Sequence, residues 1–189
     1  MRPSVWVEST RRATGSGRWT TGLTTYRCSR RRVPRKGYRH LLKRRDLERF
    51  VELIPAWDEL SEGPSWIVLS RNTDYFGWHV PGVVAVCAWE TDLWHRDLSK
   101  GWYWEHVDVL ERLGVDVWKD GPHWVAEWTE DQARAFQLLN VFLHELGHHH
   151  DRMTTRSTRR PARGESYAEQ FGRELADEMW DDFLRVFPL

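Results

Sequence analysis

His144-Glu145-Leu146-Gly147-His148 is the stretch of this 189-residue chain whose residue types and spacing come closest to chemistry. Residues i and i+4 of a helix share one face, about one turn apart, so His144 and His148 can bind the same metal ion. Zn²⁺ is the ion that two imidazoles in this arrangement suit, and Glu145, beside His144, can reach a water on it. With nine His and fifteen Glu in the chain, composition alone produces one such match somewhere with a chance of about 3%. The flanking residues reduce that chance further. Thr129 and Gln132 form the capping-box pattern that opens a helix. Ala133, Ala135, Phe136, Leu138, Leu139, Val141, Phe142 and Leu143 then make the helix apolar up to the motif. Such a helix is expected to be buried, and buried imidazoles and carboxylates need partners. That favours zinc over a coincidental charged helix face.

Zinc in a catalytic site takes three protein ligands and keeps a fourth position open. The metzincin extension H-E-x-x-H-x-x-G-x-x-H does not continue here, because Asp151 and Thr154 stand where its Gly and third His belong. His149 and His150 follow directly, but a helix turns about 100° per residue. That aims His149 away from the motif face and leaves His150 at the helix end, where both read better as cations favoured by the dipole. The next helical stretch offers Glu165 and Glu169, one turn apart, with Glu165 seventeen residues beyond His148. Packed antiparallel, that helix can bring Glu165 to the metal and let Glu169 accept the second ring N–H of a ligand histidine. The exchange of roles, with Glu169 as ligand, stays open. Gly147 allows a neighbouring element to approach closely, or is simply a tolerated helix glycine.

The elements that must position these residues can be read from period and punctuation. Helical spacing begins at Tyr38, runs through Leu41, Leu42, Leu47, Phe50, Val51 and Ile54, and stops at Pro55. Strands are expected over 65–70, 75–80 and 83–89, the last being β-branched and uncharged. A helix over 99–114 and a hairpin around Asp120-Gly121 come next. The motif helix runs from Thr129 to about His150, an Arg-rich loop follows to Arg163, and a final helix starts near Gly164. This order argues an α+β fold. Eight tryptophans (78, 89, 94, 102, 104, 118, 124 and 128) crowd the strands and the stretch after them. They are expected to pack that stretch onto the domain rather than to wall a substrate cleft.

Charge divides the chain. Residues 1–49 carry fifteen Lys and Arg against three Asp and Glu, and the rest carry thirteen against twenty-five. Residues 1–36 therefore read as a mostly disordered basic arm, and 37–189 as the folded domain. The run Arg30-Arg31-Arg32 to Arg35-Lys36 could make a weak nucleic-acid contact through phosphates. A solvated tail, or sequence upstream of the domain proper, accounts for it better, because a basic run alone carries little specificity. No run of about eighteen apolar residues marks a membrane span, and no apolar run follows the basic N-terminus as in a secretory signal. Cys28 and Cys87 lack metal-site spacing and are too few for a disulfide scaffold, so a cytoplasmic setting is expected.

The two segments His144-Glu145-Leu146-Gly147-His148 and Glu165-Ser166-Tyr167-Ala168-Glu169-Gln170-Phe171-Gly172 together resemble the gluzincin metallopeptidases, in particular compact members of the ImmA/IrrE type. The likeness is good over about 129–172 and looser over 65–90. It implies a zincin-like domain: a short mixed or antiparallel sheet packed on the motif helix and a following C-terminal helix. It implies zinc on His144, His148 and Glu165, and an edge strand, matched by Val83 to Trp89, that pairs with an extended protein or peptide substrate. It also implies hydrolysis of a peptide bond by water activated at zinc, with Glu145 as general base and then acid. Tyr167, His79, His106 and His123 are the candidates for a donor to the developing oxyanion. The chain departs from the family in the Trp-rich insertion of about 91–130 and in the Arg-rich link between the two zinc-bearing helices. The alternatives are a regulatory or nucleic-acid-associated protein whose zincin domain turns over little or nothing, and a zinc-stabilised structural domain. Glu145 favours catalysis over the last, since a structural site needs no general base.

Overall fold

A computed structural model describes residues 17–21, 24–29, 34–60, 66–155 and 163–189, the first two stretches through their backbone alone. The fold is mixed α+β. Strands β1 (Gly17–Thr21) and β2 (Thr24–Ser29) pair as an antiparallel hairpin. The short β3 (Tyr38–Arg39), α1 (Arg44–Val51) and α2 (Trp57–Leu60) follow. Next come β4 (Trp66–Ser70), β5 (Gly77–Val80), β6 (Val83–Cys87) and β7 (Trp89–Glu90). β8 (Trp94–Leu98), α3 (Lys100–Leu113), β9 (Asp116–Asp120) and β10 (His123–Glu127) make up the inserted region. The motif helix is built from α4 (Glu130–Ala135), a π-helical segment (Phe136–Phe142) and α5 (Leu143–Thr154). α6 (Gly164–Glu178) and α7 (Trp180–Val186) complete the order.

The main sheet runs β1-β2-β4-β6-β5, with β2/β4 and β4/β6 parallel and the β5/β6 pair antiparallel. Two sequence expectations change here. Residues 17–21 and 24–29 are strands of this sheet, so the mostly disordered arm does not extend over them; Arg30, Arg31 and Arg32 lie outside the described residues. The strand 83–87 is also interior, flanked by β4 and its hairpin partner β5, so the edge strand at this end of the sheet is β5. Its uncharged run has a physical cause: Val84, Ala85, Val86 and Cys87 are all buried, as befits a strand with neighbours on both sides.

Helix α1 starts at Arg44 rather than near Tyr38, because Tyr38 and Arg39 pair with Glu90 and Trp89 across the β3/β7 ladder. Leu41 and Leu42 still enter the core, from extended backbone. Phe50 of α1 meets Phe142 edge-on at 5.7 Å and Phe183 of α7 at 6.0 Å. This aromatic node ties the motif helix to α1 and α7, each such contact adding about 0.5–1.5 kcal/mol beyond burial. The final helix breaks at Met179, where the backbone leaves helical geometry (φ −97°, ψ 5°) and the side chain is 1% exposed.

The inserted region forms a second sheet, β8-β10-β9, beside α3. α3 is capped at its start by the Ser99 hydroxyl, which accepts the Trp102 N–H, and ends at Gly114. The region joins the domain through an aromatic layer. Trp89, Trp128 and Phe136 are buried, and Phe76 and Trp102 pack against them. His95 sits inside that layer, its ring 4.4 Å from Trp89 and 5.2 Å from Phe76. Most of the tryptophans thus do the packing expected of them. Trp104 and Trp118 are the exceptions, 59% and 37% exposed. No helix among the described residues is long and apolar enough to cross a membrane.

Candidate metal centre

The motif helix reaches its site through a change of pitch. Over Phe136–Phe142 the chain is π-helical, which alters the angle between side chains before and after that stretch. Phe136 faces the aromatic layer, and the Gln137 amide donates to the Cys87 carbonyl at 2.8 Å, pinning the segment to the end of β6. One residue after the π segment, α5 presents His144, Glu145 and His148 toward β5 and α6.

Helix α6 lies against α5 at backbone contact. A Cβ on Gly147 would stand 2.9 Å from both the Cα and the carbonyl oxygen of Ala168, and one on Gly172 would stand 3.1 Å from the His144 nitrogen. The close-approach reading of Gly147 is therefore the one realised. It brings Glu165, on the first turn of α6, across the motif face. The Glu165 Oε2 lies 2.8 Å from His148 Nε2 and 3.2 Å from His144 Nε2, and the two Nε2 atoms are 3.0 Å apart.

These three atoms pass a test of fit for zinc. Ligands at about 2.0–2.1 Å in a tetrahedron stand about 3.3 Å from one another, close to the observed triangle. Two ring nitrogens and a carboxylate oxygen crowd one point, and a single cation satisfies all three at once. Burial holds the His148 imidazole below its ordinary pKa, with His144 adding to the effect and Glu165 opposing it. A neutral imidazole is the ligating form.

Glu145 is 9% exposed, and its Oε2 lies 3.3 Å from His79 Nδ1 on β5. The His79 ring also stacks on His148 at 4.6 Å, 11° from parallel. β5 can come this near because residue 77 has no side chain: a Cβ there would lie 2.6 Å from Val141 Cγ1 and 2.9 Å from Glu145 Cγ. Strand alternation puts His79 on the same face as Gly77, toward Glu145. In sequence His79 was one of four oxyanion candidates with nothing to single it out. The i, i+2 pair Gly77 and His79 was the available signal, readable only once β5 was known to face α5.

The other candidates separate clearly. His106 of α3 lines the same cleft, and its Nδ1 lies 2.8 Å from the Trp102 carbonyl. That nitrogen must carry the proton, so the neutral ring has no N–H left to offer an oxyanion. Burial lowers its pKa, which favours this neutral form. Tyr167 faces away, its hydroxyl 2.6 Å from His150 Nδ1. His123 is exposed on the β9/β10 hairpin. His149 is buried, and neither it nor His150 joins the metal-facing group. Glu169 lines the cleft one turn beyond Glu165, and no hydrogen bond joins it to His144 or His148; its charge acts on His106 instead. Cys87 belongs to neither group of converging donor atoms among the described residues, and burial pushes its thiol up to about 12.

The site opens into a cleft of about 1180 Å³. Trp104, Glu105 and Asp108 of α3 form one wall, and Glu169, Arg173 and Asp177 of α6 the other. An ion pair from Arg112 to Asp177 ties the walls together, with the guanidinium carbon 4.0 Å above the Trp180 ring.

No relative accompanies this geometry. No family model matches the chain, and neither do curated proteins or solved structures. The assignment therefore rests on the residues of the site themselves.

Proposed function

We propose that this protein is a zinc-dependent metallopeptidase of gluzincin type, with a zincin-like fold, acting on a protein or peptide substrate in the cytoplasm. The observation that carries the reading is the convergence of His144, His148 and Glu165 on one point, beside a Glu145 that is not part of that triangle. A structural zinc site has no use for such a neighbouring carboxylate, which is paired with His79 outside the triangle.

His144, His148 and Glu165 would hold the ion, which would supply Lewis acidity and lower the pKa of water toward neutrality. Glu145 takes a proton from the attacking water and returns it to the departing amide nitrogen. His79 holds the Glu145 carboxylate by donating its Nδ1–H, so the base is oriented before substrate arrives. The outer edge of β5 offers main-chain donors and acceptors to an extended substrate strand running beside the site. The cleft between α3 and α6 takes the substrate's side chains.

Metal analysis of the purified chain, paired with cleavage of a fluorogenic peptide library, tests this. One zinc per chain is expected, and Glu145→Gln is expected to retain it while losing hydrolysis. A chain that binds no zinc, or a Glu145→Gln variant that cleaves as well as the parent, ends the reading.

A further inference from the structure

The geometry points to Asp151 as the positioning residue that holds Glu165 at the metal point. This rests on the metal reading above and adds the reason the third ligand is where it is. The Glu165 side chain is 73% exposed, so beyond the approach of the two helices no packing of the side chain itself places it. The start of α6 does, and Asp151 holds that start.

Asp151 lies in the last turn of α5, three residues beyond His148, and is fully buried. Its carboxylate receives four donors. Arg163 Nε reaches Oδ1 at 2.7 Å and the Thr155 hydroxyl reaches it at 3.1 Å. The backbone N–H of Gly164 reaches Oδ2 at 3.0 Å and that of Arg163 at 3.3 Å. The end of one helix thus caps the beginning of the next, satisfying N–H groups that a helix start leaves without partners. The negative charge also sits at the favourable end of the α6 dipole.

The cap fixes direction as well as distance. Gly164 has φ +67°, a left-handed conformation that favours glycine, and the turn it makes sends Glu165 back toward α5. Arg163, while bound to Asp151, lies 3.7 Å over the Tyr167 ring, whose hydroxyl meets His150. Imidazole and cap are therefore carried on adjacent turns of one helix, so the hydrogen bonds of Asp151, together with the helix approach at Gly147, set the distance from His148 to Glu165. A buried carboxylate is costly unless fully bonded, and this one is. In sequence it served only to exclude the metzincin pattern.

The test measures zinc affinity of the full chain by competition with a chromogenic chelator for the parent, Asp151→Asn, Glu165→Ala and the double variant. Asp151→Asn is expected to weaken zinc binding about 10–100-fold, the range for residues that orient a ligand. In the Glu165→Ala background the same change is expected to do almost nothing, less than about 2-fold, because the residue it acts through is gone. Zinc binding by Asp151→Asn equal to the parent overturns the assignment. So does an equal loss in both backgrounds, which means Asp151 serves the fold at large. A parent chain without zinc affinity instead fails the metal reading itself. Should Asp151→Asn not fold, Arg163→Ala, which removes one donor, is expected to give a several-fold loss that vanishes with Glu165→Ala; parental affinity in Arg163→Ala overturns the assignment equally.

Discussion

Two regions of this molecule enclose histidines, and they treat them in opposite ways. On the α5/α6 face the ring nitrogens of His144 and His148 converge with a carboxylate oxygen. In the aromatic layer His95 is 7% exposed, surrounded by Trp89, Phe76 and Trp128, and its Nδ1 has no hydrogen-bond partner among the described residues. Burial depresses His95 to about 4, with Asp92 opposing weakly. The first region brings lone pairs together at one point, as a cation site requires. The second uses imidazole as a flat, neutral packing element. Residue type does not separate the two roles; the polarity of the surrounding side chains does.

The sharpest break of this contrast is His148→Ala. It removes one corner of the triangle and is expected to weaken zinc binding by more than the roughly 10–100-fold typical of an orienting residue. His95→Ala, measured by the same chelator competition, is expected to leave that affinity unchanged.

Acid separates the regions next. His95 has its folded pKa of about 4 below the ordinary 6.5, so the unfolded chain takes up this proton first. Its contribution to stability is full above about pH 6.5 and is lost progressively down to about pH 4, by about 3 kcal/mol in total. His95→Phe keeps a ring in the layer and is expected to show a correspondingly shallower loss of stability in urea unfolding across that window. An identical pH dependence in the two proteins would show that His95 is not the buried neutral group described.

Packing between α5 and α6 is a smaller lever. Gly147→Ala places a methyl group against the Ala168 backbone and is expected to cost about 1–3 kcal/mol, while also widening the ligand triangle. A drop in both melting temperature and zinc affinity is the expected pair of readings. Gly101, whose added Cβ would meet only the Ser99 hydroxyl at 3.7 Å, is the control that should tolerate alanine.

The smallest effect expected is at His79. His79→Ala should lower kcat about 10-fold with zinc affinity and KM little changed, and His79→Gln, which retains an N–H donor, should recover part of it. A loss of zinc from His79→Ala would move this residue from orienting the base to holding the metal.

How much of this could be read in advance follows the range of the interactions. The capping box at Thr129, the caps of α3 and the Asp120-Gly121 hairpin are contacts between near neighbours, and all stood in the pattern of residues. So did the shared face of His144 and His148, because about 3.6 residues per turn is a property of the backbone. A glutamate of the next helix at that face was legible as a spacing, but Glu165 and Glu169 both fitted it, and only the resemblance singled out Glu165.

The remainder depended on contacts between segments far apart in the chain. Sheet order placed β5 rather than β6 at the edge, and main-chain pairing with β4 drew residues 24–29 into the sheet despite their place in a stretch whose composition suggests disorder. The π-helical stretch answers to packing on both of its sides, and His79 meets Glu145 across 66 positions. Local geometry chose which residues could bind a metal; their partners were chosen by burial and hydrogen bonding across the fold, whose free energy no stretch of neighbouring residues contains.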